Sequence, residues 1–198
     1  MSISVSRCGA VILAGGNSRR MGCCKALLKI GGTSVLERTW GQLSDFDEVL
    51  LSANDLSLGD GLPLRCVPDL WPGCGPLAGL HAALSATEKD ALFCVPCDLP
   101  NFTGQVARLL LEHIPPEIQA VVCRDGTGKV HPLCGIYRRE SLPVLEECLR
   151  KGQYRVMRFL EMLSWQTFDT AAFLPDNVFL NMNGPEEYQA VLQARGET

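Results

Sequence analysis

Short apolar runs with no polar residue inside them constrain this chain most. Residues 8–14 and 91–95 are uninterrupted stretches of Cys, Gly, Ala, Val, Ile, Leu and Phe. A strand with one wet face alternates polar and apolar side chains. An unbroken run reads instead as a strand buried on both faces, as in a parallel sheet. Between such runs the period changes. Across residues 34–43, Val35, Leu36, Thr39, Trp40 and Leu43 share one helical face, and Ser34 and Glu37 have capping-box spacing. The pattern predicts strands at 8–14, 48–53, 64–67, 91–97, 119–123 and 131–137. It predicts helices at 34–43, 80–86, 103–112, 140–151, 154–162 and 185–194, with a Gly- and Pro-rich loop over 72–79. Pro143 and Pro185 fall in first helical turns, where a missing N–H costs nothing. The expected fold class is therefore α/β, a single Rossmann-like domain with a mostly parallel sheet and helices on both faces. Such sheets bind ligands beyond the carboxyl ends of their strands, which directs attention to the loops after Ala14, Ala53, Val67 and Cys97.

Composition narrows the function classes. The 198 residues are 46% hydrophobic, enough for a sizeable core, and no internal repeat or low-complexity tract interrupts them. The longest apolar runs are too short to span a bilayer, and the first residues do not read as a secretory signal. A soluble cytoplasmic protein with no membrane contact is expected. Net charge is −4, with no long run of one sign, which argues against a nucleic-acid partner. One local basic cluster, Arg19, Arg20, Lys25 and Lys29, still suits a small phosphorylated ligand. Ten cysteines in a chain without a signal, several inside apolar runs, read as buried free thiols rather than a disulfide framework.

The first loop reads Leu13-Ala14-Gly15-Gly16-Asn17-Ser18-Arg19-Arg20-Met21-Gly22-Cys23-Cys24-Lys25. Its glycines let backbone N–H groups approach an anion, and Arg19 and Lys25 supply charge to neutralise phosphates. It is neither the dinucleotide GxGxxG nor the P-loop GxxxxGK[ST]. Asp98 ends the most apolar strand, in Pro96-Cys97-Asp98-Leu99-Pro100. A carboxylate there suits Mg²⁺, which takes oxygen ligands from one or two carboxylates plus phosphates; an Asp before Leu-Pro also suits a plain turn. Asn183, before Gly184-Pro185-Glu186, reads as a helix N-cap, and a helix start also attracts anions. Cys94, Cys97, His131 and Cys134 offer the residue types of a zinc site. Cys94 and Cys97 lie along one strand, however, where residues three apart face opposite ways. A thioredoxin-like CxxC would open a helix, whereas this one ends a strand.

The first loop resembles the L-A-G-G-x-S-x-R-M-G-x-x-K signature of molybdenum cofactor guanylyltransferases. Further segments agree in order: residues 72–80, the Pro96–Pro100 loop, His131-Pro132 and Tyr154-Arg155-Val156-Met157. Asn181-Met182-Asn183-Gly184-Pro185-Glu186-Glu187 completes the set. The resemblance covers nearly the whole chain and implies a nucleotide-diphospho-sugar transferase type of fold. It implies transfer of GMP from GTP to molybdopterin, with or without molybdenum, releasing pyrophosphate and forming the guanine dinucleotide. It assigns GTP binding to Leu13, Ala14, Gly15, Gly16, Lys25, Asn54, Asp69 and Asp98. It assigns Mg²⁺ binding to Asp98, catalysis to Lys25, Asp98 and Arg19, and pterin binding to Arg155, Asn181 and Asn183. The nucleotide part would span about 8–100 and the pterin part about 101–198. Implied partners include cofactor-biosynthesis proteins and molybdoenzyme clients. The chain departs from the family pattern at Cys24, where many members have Asp, and at Gly184, where they often have Thr.

Three rivals are weighed by the same residues. A cytidylyltransferase for the same pterin shares the fold, but members of that kind tend to carry L-A-A-G where this chain has Leu13-Ala14-Gly15-Gly16. A sugar-phosphate nucleotidyltransferase would be longer and lacks a counterpart of residues 181–187. A non-catalytic nucleotide-binding accessory protein for a molybdoenzyme would not need both Lys25 and Asp98.

Overall fold

The computed structural model describes residues 3–15 and 24–196. Its strands are β1 (Cys8–Leu13), β2 (Lys29–Ile30), β3 (Thr33–Ser34), β4 (Val49–Ser52), β5 (Arg65–Val67), β6 (Ala91–Pro96), β7 (Ala120–Arg124), β8 (Val130–Arg138) and β9 (Trp165–Asp169). Its helices are α1 (Val35–Gly41), α2 (Pro76–Ala86), α3 (Gln105–His113), α4 (Leu142–Arg150), α5 (Val156–Leu160) and α6 (Pro185–Ala194). Seven strands form one sheet in the order β5-β4-β1-β6-β8-β7-β9, and β2 and β3 make a separate hairpin. Every pairing in the large sheet is parallel except the two made by β8. The expected mostly parallel α/β sheet is what the chain forms.

Both faces are covered. On one, Ile12, Phe93, Val121 and Ile136 pack against Leu36 of α1 and Val106 and Leu110 of α3. On the other, Val11, Leu50, Leu92 and Tyr137 pack against α2, α4 and α5 through Leu77, Leu80, Leu145 and Phe159. Each fully buried Leu or Phe stabilises the fold by roughly 1.5–3 kcal/mol through area removed from water. Cys94 falls in the second cluster and Cys97 in the first, so the two thiols face opposite sides of the sheet. Seven of the nine described cysteines are buried free thiols that pack as small hydrophobes.

Several boundaries move for physical reasons. Helix α2 starts at Pro76 rather than at residue 80, because Pro at the first helical position loses no hydrogen bond and Gly75, at φ 69°, turns the chain into it. Gly79 then lets α2 lie close on the sheet: a Cβ there would meet Ser52 Oγ at 2.4 Å and Leu13 Cδ2 at 3.2 Å. Strand β9 went unexpected because its residues are half-buried or exposed and form no apolar run. The β2–β3 hairpin, two residues a side, is too short to leave a periodic signal. Among the described residues no helix is long and apolar enough to cross a membrane.

Candidate active site

Chain order reverses between β1 and β6. From β1 the chain builds outward through β4 and β5, then returns to place β6 on the other side of β1. The crevice at such a reversal, beyond the carboxyl ends of the strands, is where open α/β sheets bind ligands. Here it holds a cavity of about 190 Å³. Its walls come from Leu13, Ala14, Gly15, Cys24, Lys25 and Ala26 on the β1 side and Pro96, Cys97 and Asp98 on the β6 side. Pro76 and Leu133 close it. Backbone bonds tie the loops together: Cys97 N–H donates to Leu13 O at 3.0 Å, Ala14 N–H to Ser52 O at 2.9 Å, and Ala53 N–H to Val67 O at 3.2 Å.

Asp98 is the site's charged centre. Its Oδ1 is buried and has no hydrogen-bond partner among the described residues. A buried carboxylate oxygen without a donor is costly to desolvate unless something positive completes it. Burial pushes the Asp98 carboxyl above the ordinary carboxylate range, and the positive charge of Lys25 pulls it partway back. An orphaned oxygen beside a lysine, in a cavity of phosphate-loop composition, is the donor set a hard divalent cation takes together with phosphate oxygens. Among the described residues no three His, Cys, Asp or Glu side chains gather to hold a metal by themselves. A cation here would therefore share its shell with the ligand and water.

Lys25 opens a short 3₁₀ turn and donates from Nζ to Asn183 Oδ1 at 2.9 Å. The Asn183 side chain is thus not the N-cap of α6. Gly184 occupies the cap and has no side chain to bond there, while the asparagine oxygen accepts from the lysine. Met182 N–H donates to Asp98 O at 2.8 Å, so the same stretch grips both the lysine and the aspartate loop. Sequence reading missed this tie; Asn181 to Glu187 signalled a helix start, and nothing local marks a contact with residue 25.

Asn54 and Asp69, at the ends of β4 and β5, hold each other. Asn54 Nδ2 donates to Asp69 Oδ2 at 3.0 Å, and Asp69 N–H donates to Asn54 Oδ1 at 2.9 Å. They stand on the same carboxyl edge as Asp98, outside the cavity wall. Arg155 is exposed at the N-cap of α5 and Asn181 is half-buried; neither lines the cavity. Gly16, Arg19 and Arg20 lie outside the described residues.

The MobA-like NTP transferase domain family matches residues 10–170. A protein of Pelotomaculum thermopropionicum named "Probable molybdenum cofactor guanylyltransferase" is 36% identical over 182 residues, 89% of this chain and 88% of its own length. A "Molybdenum cofactor guanylyltransferase" of Syntrophotalea carbinolica is 32% identical over 188 residues, 91% of this chain and 88% of its own. Among solved structures, the molybdopterin-guanine dinucleotide biosynthesis protein A of Archaeoglobus fulgidus superposes with a TM-score of 0.79 at 22% identity, covering 95% of this chain and 98% of its own.

Proposed function

The chain belongs to the MobA-like NTP transferase family, and from that premise we propose that it transfers GMP from GTP to molybdopterin, forming the guanine dinucleotide and releasing pyrophosphate. The observation that carries the chemistry is the buried, partnerless Asp98 Oδ1 beside Lys25 at the reversal of the sheet. The names of relatives that span most of this chain support the choice of GTP and molybdopterin.

In the transfer, a terminal phosphate oxygen of molybdopterin attacks the α-phosphorus of GTP. That P–O bond forms as the α–β bridging bond breaks in line, and no covalent enzyme intermediate is needed. The loop after β1 receives the triphosphate on backbone N–H groups, and Lys25 offsets the charge that develops on the departing pyrophosphate. Asp98 would hold Mg²⁺, which would supply positive charge to offset that of the phosphates. Asn54 and Asp69, on the same carboxyl edge, would face the nucleoside, and the Asp69 carboxylate can accept from the N1–H and exocyclic amine of guanine. Asn181, Asn183 and Arg155 would face the acceptor, and the Lys25–Asn183 bond would join the nucleotide side to the acceptor side.

The test is a thermal-shift titration with GTP, CTP, ATP and UTP, each with and without Mg²⁺, followed by mass spectrometry of the pterin product. A ligand that binds only the native state raises Tm by mass action. A shift with GTP and Mg²⁺ and a product heavier by GMP are expected. A shift with CTP alone would move the activity to the cytosine dinucleotide. Bound GTP with no transfer would leave a nucleotide-binding accessory protein.

A further inference from the structure

Outside the cavity, β7 and β8 are joined by a hairpin whose tip holds a buried hydrogen bond between a histidine and an aspartate. His131 Nε2 is hydrogen bonded to Asp125 Oδ2 at 2.7 Å, with side-chain exposures of 9% and 8%. Asp125 is fully engaged: its Oδ1 accepts from the Thr127 hydroxyl at 2.6 Å and from the N–H groups of Thr127 and Lys129 at 2.9 and 3.0 Å. A carboxylate so held fixes the imidazole beside it. With its edge held by Asp125, that imidazole stacks one face on Phe179, with ring centroids 4.5 Å apart and planes 19° apart. A second bond reinforces the contact: Gly126 N–H donates to Asp176 Oδ1 at 2.8 Å, an approach that a Cβ at residue 126 would block.

Phe179 belongs to the segment that reaches the reaction groups. Three residues on, Met182 N–H is bonded to Asp98 O, and Asn183 holds Lys25 Nζ. Three residues span at most about 10 Å, so a shift at the Phe179 ring has little slack in which to dissipate. We propose that His131 is a positioning residue: clamped by Asp125 and stacked on Phe179, it sets residues 176–183 so that Met182 and Asn183 hold Asp98 and Lys25 in their reacting geometry. The role in transfer rests on the function proposed above; the placement of the segment does not. A competing anchor exists, because the Met182 side chain is buried with Ile30, Val35 and Val191.

The experiment uses the full chain and two readouts. Hydrogen exchange at the Met182 amide reports the placement directly. His131→Ala and Phe179→Leu are expected to speed it by about tenfold or more, as local opening does, while amides of β1 and β6 keep their wild-type rates. Wild-type protection of Met182 in both His131→Ala and Phe179→Leu would overturn the proposal and assign the anchoring to the segment's other contacts, the Met182 side chain and the Asn101 side-chain bond to Asn177 O. Should His131→Ala unfold, Phe179→Leu and the surface variant Asp176→Ala decide the matter alone. The second readout is kcat per folded molecule. It should fall about tenfold or more in His131→Ala, with KM for GTP changed less than about twofold, because misplaced groups cost turnover while the nucleoside contacts stay intact. Faster exchange with unchanged kcat would make the clamp structural only and overturn the positioning role. If the wild type transfers no GMP, the proposed function fails, and the exchange result still decides what His131 holds.

Discussion

Lys25 Nζ and Asn183 Oδ1 are hydrogen bonded at 2.9 Å although 158 residues separate them in the chain. The bond lets a residue from the far end of the protein orient the lysine proposed to bind phosphate. Lys25→Ala should lower kcat by roughly 10²–10³-fold, the usual loss of one charge-stabilising group. Asn183→Ala should cost less, because the lysine remains but loses its guide. The double variant should be little worse than Lys25→Ala alone, a coupling of about 0.5–3 kcal/mol in a double-mutant cycle on kcat. Strictly additive losses would show that the bond does not aim the lysine.

The orphaned oxygen of Asp98 makes a prediction with opposite signs for stability and activity. Asp98→Asn should reduce transfer by about a hundredfold or more, as the loss of a charge-stabilising group does. The same variant should melt at a higher temperature than the wild type at pH 7 in the absence of Mg²⁺. The sign follows from linkage. The folded carboxyl titrates above its ordinary value of 3.8, so at pH 7 the folded state carries a desolvation penalty that the unfolded chain does not. As pH falls through the raised value toward 3.8, Asp98 takes up its proton and the penalty disappears. The advantage of Asn should therefore shrink with acid, and Mg²⁺ with GTP should shrink it at pH 7. Calorimetry across pH reads both; equal Tm values at pH 7 would contradict the buried, unsatisfied carboxylate.

The unbroken runs at residues 8–14 and 91–95 announce the two central strands, and the loops beyond them carry the cavity. Lys25 and Asp98 are visible as single residues for that reason: each follows a strong local signal. The contacts that organise them are not visible. Asn183 advertises a helix cap, and only the packing of Met182 and Val191 on Ile30 and Val35, with the Met182–Asp98 backbone bond, brings its oxygen to Lys25. Nothing local pairs Asp125 with His131, and their bond crosses a hairpin whose register shifts between Val122 and Cys123. The antiparallel setting of β8 is hidden for a related reason: its residues are apolar enough for either direction, and the short 125–130 connection decides.

Asn54 and Asp69 form a two-bond clasp on exposed strand ends. Asn54→Ala removes both bonds and should cost about 0.5–1.5 kcal/mol of stability, near the net value of one surface-exposed hydrogen bond. Its larger effect should be on the nucleotide: with Asp69 no longer held, KM for GTP should rise about tenfold, while kcat stays within about twofold because no reacting group moves. Asp69→Asn keeps the shape and replaces an acceptor with a donor, so it should narrow the preference for GTP over CTP. An unchanged GTP preference in Asp69→Asn would remove the carboxylate from base recognition.

The capping box of α1 offers a control that touches no reacting group. Glu37 N–H donates to Ser34 Oγ at 3.1 Å, and Ser34 N–H donates to Glu37 Oε2 at 2.7 Å. Ser34→Ala should cost about 1 kcal/mol, the usual loss for an N-cap, and leave kcat and KM unchanged. The hydroxyl and backbone N–H of Ser34 hold the Glu37 carboxyl below its ordinary value of 4.5. A depressed carboxyl contributes stability above its unfolded value and loses it as pH falls through the folded one. The deficit of Glu37→Gln relative to wild type should thus be present at pH 7 and close as pH falls below 4.5 and through the lowered folded value, as linkage requires. Denaturant titrations at pH 7 and pH 3 measure it. A deficit of equal size at both would mean that the amide lacks more than the charge, and that the box is held by shape rather than by the carboxylate.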